Sequence, residues 1–550
     1  MTDRKTISWL IETASKKKAD VFLLIFLRVI ANIGTVCYAL AMKKAVDSAA
    51  IQDESGFLSG IVIFGILLFS IITLNILIRQ IDEAVKSGLE NSFKERLFKK
   101  LLNKNYEKVS SVHSGDWMNR MTSDTVVCAN GITEIIPGFA GMFVRIIAVL
   151  VVIFTLEKKL FYIFLSCGLI ILPITFVLRK YLKKQHKNVQ EKDGAVRVYL
   201  QEHISSMLIL HTFRKEEQTL SDADSVFKEH KNARVKKSFV SNMCSMLFFL
   251  AINGLFFIGI LVCGFGILNK TATLGTLTAV IQLVGQLQTP LLGIGGFVPK
   301  FYAMLASAER LMEVEKFENI KADILNSDME IKKLYNSDIK AFEFRDVSFS
   351  YIEGEKVLHN MNLSVVKGEF AAITGLSGCG KSTLLKLLMG VFEPSGGTVD
   401  IVLNDNRRLP TNAVKKLFAY VPQGNCLMRG TIRDVITFGA KEVDIERLKN
   451  SITIACAEFI YELTDSLDTE LGERGFGLSE GQMQRISIAR ALYTDSPVLI
   501  LDEATSALDA ETEKLFLNNL RQLTDKTVFI VTHRKEALQI CSKQFDFADK

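Results

Sequence analysis

The chain has 550 residues, 49% of them hydrophobic and 37 of them Phe, with a mean hydropathy of +0.24. That length exceeds one ordinary domain, and the composition excludes a disordered tail and argues against a wholly soluble enzyme. The 66 Lys/Arg against 60 Asp/Glu leave a net charge of only +6, which gives no ground for a nucleic-acid partner. Nine scattered cysteines without a C-x-x-C pair read as reduced thiols rather than a disulfide frame or a metal site.

From the N-terminus, long apolar runs come first. Residues 57–78, 160–178, 238–269 and 271–299 contain no Asp, Glu, Lys or Arg, while 21–42 contains only Arg28 and 135–156 only Arg145. A helix needs about 20 apolar residues to cross a hydrocarbon layer about 30 Å thick, so six membrane spans are expected. The connection spanning 79–130 carries nine Lys/Arg and that spanning 179–238 carries 14, whereas the three short connections share five. The positive-inside rule puts both long connections, the N-terminus and everything after residue 299 on the cytosolic side. Within the long connections, 90–102 and 196–213 read as helix, with interruptions expected at Ser114-Gly115-Asp116-Trp117 and at Lys192-Asp193-Gly194.

After about Asp338 the pattern changes to short β-rich runs, turns and amphipathic helices. Ala371-Ala372-Ile373-Thr374 reads as a strand, and Leu384-Leu385-Lys386-Leu387-Leu388 as helix. Between them lies Gly375-Leu376-Ser377-Gly378-Cys379-Gly380-Lys381-Ser382-Thr383, a match to the phosphate loop G-x-x-x-x-G-K-[ST] in its strand–loop–helix setting. Its glycines let backbone N–H groups converge on phosphate, Lys381 adds a point charge, and Ser382 offers a hydroxyl to Mg²⁺. Val498-Leu499-Ile500-Leu501-Asp502-Glu503 is an apolar strand emptying into two acids, with Asp502 placed for the metal and Glu503 for an attacking water.

Further residues carry a resemblance to the ATP-binding cassette (ABC) family. Leu478-Ser479-Glu480-Gly481-Gln482 is similar to its signature, with Glu where Gly is commoner, and the helix from Arg485 to Leu492 follows as in that family. Val421-Pro422-Gln423 resembles the glutamine loop, Ser506-Ala507-Leu508-Asp509 the D-loop, Val531-Thr532-His533-Arg534 the switch histidine and Phe349-Ser350-Tyr351 the aromatic loop. Leu471-Gly472-Glu473-Arg474-Gly475 resembles a segment of exporter-type cassettes.

The resemblance implies an exporter-type half-transporter. Its fold would be a membrane α-helical bundle of six transmembrane helices (1–320), a linker (321–337) and an α/β P-loop NTPase domain of the ABC type (338–550). ATP and Mg²⁺ are the implied cofactors. Catalysis would fall to Glu503, His533, Gln423 and Lys381, and the metal to Ser382, Gln423 and Asp502. The nucleotide would meet Tyr351 on adenine, and Gly375, Ser377, Gly378, Cys379, Gly380, Lys381, Ser382, Thr383 and Gln423 elsewhere. Ser479, Gly481, Gln482 and Asp509 would act across a cassette dimer. A second half-transporter, identical or paralogous, is therefore implied. The setting is a plasma membrane with the cassette in the cytosol, and the substrate a small molecule, lipid or peptide. Coupling helices are expected within 115–124 and 195–203. Two other uses of the same layout are import of a metal chelate and a cassette-gated channel or regulator. A polar path through Arg145, Gln282, Gln286 and Gln288 competes with plain helix–helix hydrogen bonding. Only 17 residues follow His533, fewer than in most exporter cassettes.

Overall fold

The computed structural model describes the chain except residues 1, 321–322, 326, 353–354, 377, 425–426, 473–476 and 548–550. It divides into two compact units, one of residues 1–102 and 112–316, the other of residues 103–111 and 317–550.

The first unit is helical throughout. A short helix, Thr2–Thr13, precedes six long ones: Lys18–Ala50, Glu54–Leu102, Ser114–Leu156, Lys158–Ser205, Glu216–Leu268 and Leu274–Met312. Each carries one of the six charge-poor runs. Among the described residues, four helical stretches are long and apolar enough to cross a membrane, namely Arg4–Ala50, Glu54–Leu102, Ser114–Leu156 and Phe249–Leu268. The 49 residues of Glu54–Leu102 span about 74 Å at 1.5 Å per residue, more than twice a hydrocarbon core.

Contacts between these helices rely on close packing rather than on escape from water, because lipid is as apolar as the side chains. Gly60 illustrates this: a Cβ there would lie 2.8 Å from the Ala45 Cα, so only glycine lets the two helices touch. Val36, Val149, Ile153, Leu160, Leu255 and Leu283 form a shared buried cluster from five helices. Arg28 pairs with Asp82 of the next helix at 3.1 Å. Asp124, 2% exposed, accepts from Ser307 Oγ at 2.9 Å and from Arg310 Nε at 2.8 Å.

Two expectations about the long connections are corrected. The chain passes straight through 192–194 inside Lys158–Ser205, so 195–203 is mid-helix. Ion pairs of Lys192 with Glu229 and of Asp193 with Arg197, both 2.6 Å, support that stretch. The break comes later, at Ser206, before the short helix Met207–Phe213, which ends on Arg214 in the left-handed region (φ 51°). In the first connection the break precedes Ser114, which starts a helix. Residues 103–111 pack with the second unit instead, whereas 115–124 belong to the first. The polar triplet Asn103-Lys104-Asn105 ends the preceding helix. Asn105 caps the next one, Tyr106–Ser110, by accepting from Glu107 N at 3.0 Å. Asn103 and Asn105 pair with Ile320 and Glu318 through backbone bonds of 2.9 Å.

The second unit holds two main sheets. The strands in chain order are β1 (Ile339–Ile352), β2 (Glu355–Val366), β3 (Phe370–Thr374), β4 (Gly396–Leu403), β5 (Arg408–Pro410) and β6 (Phe418–Val421). They continue with β7 (Gly430–Thr431), β8 (Glu470–Leu471), β9 (Val498–Asp502), β10 (Thr527–Val531) and β11 (Lys543–Asp546). An antiparallel sheet runs β2-β1-β4-β5, a parallel one β11-β3-β10-β9-β6, and β7 pairs with β8. The helix Lys381–Leu388 packs with both main sheets in one cluster that includes Phe342, Phe344, Phe349 and Phe529, all essentially buried. Each such ring removed from water contributes about 1.5–3 kcal/mol. A second cluster, on the side of the helix Glu480–Tyr493, gathers Ile486, Ile488, Leu499, Leu501 and Phe516. β9 and β10 are buried at every position, which is what an inner strand of a covered parallel sheet requires.

Candidate functional site

In an open parallel sheet, ligands bind beyond the carboxyl ends of the strands. Four neighbouring strands present the predicted residues there: the phosphate loop follows β3, His533 follows β10, Asp502 and Glu503 end β9, and Gln423 follows β6. Residues drawn from between positions 375 and 533 thereby converge.

Lys381 is 6% exposed, and its ammonium donates to the Gly375 and Leu376 carbonyls at 2.6 and 2.9 Å. His533 Nε2 lies 3.3 Å from the same nitrogen. Within the loop, Gly375, Gly378 and Gly380 all have positive φ, Cys379 is half-buried, and Ser377 lies outside the described residues. Thr383 is buried and bonds the Tyr351 hydroxyl at 2.9 Å. Tyr351 is itself 54% exposed, with its ring set edge-on to Phe349 and Phe392, so an open aromatic surface remains beside the loop.

Glu503 sits at φ 52°, a sparsely populated conformation for a residue with a side chain. Its carboxylate accepts from Gln423 Nε2 at 2.7 Å. Asp502 is 1% exposed, and one carboxylate oxygen accepts from the Tyr420 hydroxyl at 3.1 Å while Oδ1 is buried with no hydrogen-bond partner. Burial pushes the Asp502 pKa up, and the Ser382 and Tyr420 hydroxyls only partly offset it. An orphaned buried carboxylate oxygen beside a serine hydroxyl is a donor set that fits Mg²⁺.

The signature residues form a helix start. Ser479 caps Glu480–Tyr493 in a reciprocal box with Gln482, through Ser479 N to Gln482 Oε1 at 2.9 Å and Gln482 N to Ser479 Oγ at 3.3 Å. Gly481 has a steric reason to be glycine: a Cβ would come 2.6 Å from the Ala507 carbonyl oxygen. Asp509 caps Ala510–Arg521, accepting from Thr512 N at 2.9 Å, and that bond lowers its pKa. Of the segment from Leu471 to Gly475, residues 473–475 lie outside the described residues.

Two polar residues in this network had no role assigned from the sequence. Gln484 donates to the Glu503 carbonyl at 3.1 Å and accepts from Ala507 N at 3.0 Å. Arg534 donates to the Ser506 and Leu508 carbonyls and to Glu513. Both hold backbone carbonyls, which leave no pattern in a sequence. Their adjacency to the signature and the switch histidine was the only available signal.

A nucleotide-binding α/β unit with a phosphate loop, paired acids and a signature-type helix start, joined to a unit of membrane-length helices, defines a membrane-bound P-loop ATPase. Comparison with known proteins narrows the class. Residues 21–291 match the family model described as ABC transporter transmembrane region and 358–506 the one described as ABC transporter. An ATP-dependent lipid A-core flippase of Desulfotalea psychrophila is 31% identical over 556 residues, covering 99% of this chain and 94% of its own length. A beta-(1-->2)glucan export ATP-binding/permease protein of Rhizobium etli is 43% identical over 209 residues, 36% of this chain and 35% of that protein. A bacterial Atm1-family ABC exporter solved with ATP bound shares the fold, with a TM-score of 0.79 at 22% identity over 96% of this chain and 93% of the other. The chain belongs to the ABC transporter family, as a fused half-transporter of the exporter type. It is a multi-pass membrane protein that binds nucleotide and couples ATP hydrolysis to export. The import and channel alternatives are not favoured by these relatives.

Proposed function

We propose that two copies of this chain form the exporter, with an ATP in each of two composite sites. Each site would join the phosphate loop of one cassette to Ser479, Gly481 and Gln482 of the other. The observation that carries this reading is the convergence of Lys381, His533, Gln423, Glu503 and Asp502 at the ends of four adjacent strands. Lys381 exchanges its loop carbonyls for the terminal phosphates. Tyr351 stacks on adenine, and backbone N–H groups from Gly375 to Thr383, Cys379 and Ser377 included, surround the phosphates. Ser382, Asp502 and Gln423 hold Mg²⁺, which when bound neutralises phosphate charge. Glu503, oriented by Gln423, takes the proton of the attacking water, and His533 bonds the γ-phosphate. Asp509 holds the D-loop at the cassette interface through its cap on Ala510–Arg521. The cassette faces the cytosol of a plasma membrane, and the six long helices make six spans.

The test is hydrolysis by the purified chain. Glu503→Gln should lower the rate by about 100-fold or more while ATP binding persists. A rate within about twofold of wild type would remove Glu503 from the chemistry.

For the substrate path, Arg28 is neutralised by Asp82, whereas Arg145 Nε is buried with no hydrogen-bond partner. Gln286 donates to the Thr35 carbonyl at 2.8 Å and Gln282 to Met42 Sδ, helix–helix bonds that leave each amide oxygen buried and unpaired. These three side chains form the polar part of the path. Transport by Arg145→Ala with unchanged turnover and substrate preference would exclude Arg145 from it.

A further inference from the structure

We propose that Arg534 is a positioning residue that makes the switch histidine and the D-loop move as one body, with Glu513 as its fixed counter-charge. The proposal rests on the reading of His533 as the γ-phosphate contact.

The geometry is specific. Arg534 Nη1 donates to the Leu508 carbonyl at 3.1 Å and to Glu513 Oε2, and Nη2 donates to the Ser506 carbonyl at 2.8 Å. Its backbone N–H donates to Thr532 Oγ1 at 3.0 Å. His533 therefore lies between two anchored neighbours: Thr532, which is 4% exposed, and Arg534, whose side chain reaches into the D-loop. Glu513, 3% exposed, sits in the first turn of Ala510–Arg521, the helix that the D-loop enters. The guanidinium thus joins a residue adjacent to the switch histidine, two D-loop carbonyls and the helix behind them.

The same D-loop is held from its other side. Gln484 of the signature helix accepts from Ala507 N and donates to Ser506 Oγ at 3.3 Å and to the Glu503 carbonyl. Three loops that meet nucleotide or partner cassette are thereby tied by side chains to backbone groups. A change at His533 reaches Ser506–Asp509 through one guanidinium, without passing through the apolar core. Planar fork geometry is essential, because a lysine ammonium at that point meets Glu513 or one carbonyl but not all three acceptors.

The experiment uses the full-length transporter in lipid nanodiscs. Single-turnover hydrolysis is measured for Arg534→Lys, His533→Ala and the double variant. Affinity is measured with a fluorescent ATP analogue under magnesium chelation. Arg534→Lys should bind the analogue within about twofold of wild type and hydrolyse about tenfold more slowly. The double variant should be no slower than His533→Ala, because both act on one step. Hydrolysis by Arg534→Lys within twofold of wild type overturns the proposal, as do losses that multiply in the double variant. A wild-type rate for His533→Ala overturns instead the reading on which the proposal rests. Should Arg534→Lys fail to fold, Glu513→Gln keeps the shape and removes the counter-charge. It is expected to show the same split between binding and rate, and equal loss of both overturns the proposal.

Discussion

At the scale of residues, the site is legible wherever phosphate chemistry dictates residue type. Lys381, Asp502 and Glu503 are read from charge and spacing, His533 only from the family resemblance, and the fold brings all four to one edge of one sheet. Arg534 and Gln484 are not legible in that way, since they act on carbonyls that any sequence supplies. Asp502 carries a measurable consequence. Its folded pKa is raised by burial, so the ionised form costs stability at pH above the ordinary carboxylate pKa of 3.8, and that cost fades as pH falls through the raised value. Without magnesium or nucleotide, Asp502→Asn should therefore raise the thermal midpoint of the cassette by a few degrees at neutral pH. The advantage should shrink on acidification, and hydrolysis should be lost at every pH. An unchanged or lower midpoint in a thermal melt would contradict the burial argument. Cys379 gives a second test. It is half-buried in the phosphate loop, its backbone N–H bonding the Leu376 carbonyl at 3.4 Å. Maleimide alkylation should abolish hydrolysis, ATP should protect, and Cys379→Ala should make the protein insensitive. Continued inhibition of that variant would assign the effect to another cysteine.

At the scale of elements, charge-free length locates the long helices, because soluble core helices rarely run about 20 residues without a charge. Breaks within the long connections were less legible. Gly194 reads as a breaker, yet a single glycine costs a helix only about 1 kcal/mol, and no atom crowds the space where its Cβ would be. Neighbouring ion pairs carry the helix through. The real interruption at Ser206 has no strong turn signal. It does leave a short helix, Met207–Phe213, with Leu208 at 81% and Phe213 at 71% exposure, between cytosolic-type charged stretches. Two large apolar side chains this exposed at the end of a charged connection suit insertion into a second cassette. Leu208→Asp with Phe213→Asp should leave ATP affinity intact and uncouple hydrolysis from transport. Transport per ATP hydrolysed is the measurement, expected to fall by about tenfold. Full coupling in the double variant would relocate the contact.

At the scale of the whole molecule, the proposed dimer sets the stoichiometry. Each chain contributes one phosphate loop and one signature helix start, and the signature's Ser479 and Gln482 satisfy each other in a capping box. On the proposed reading each site joins the phosphate loop of one cassette to the signature of another, and closed two-fold symmetry is the commonest way for two copies to complete each other. The chain carries both a glutamate after β9 and a signature serine, so on the proposed reading a dimer of identical chains would have two competent sites. Mixing the wild-type chain with Glu503→Gln then distinguishes two modes of coupling. If both sites must fire for turnover, equal amounts of the two chains, mixed before assembly, should retain about a quarter of the wild-type rate, the fraction of dimers with no variant subunit. If each site fires alone, about half should remain, since every intact glutamate counts. A purified chain that binds ATP but hydrolyses none of it would instead assign the second half to a paralogue, and adding that paralogue should restore the rate.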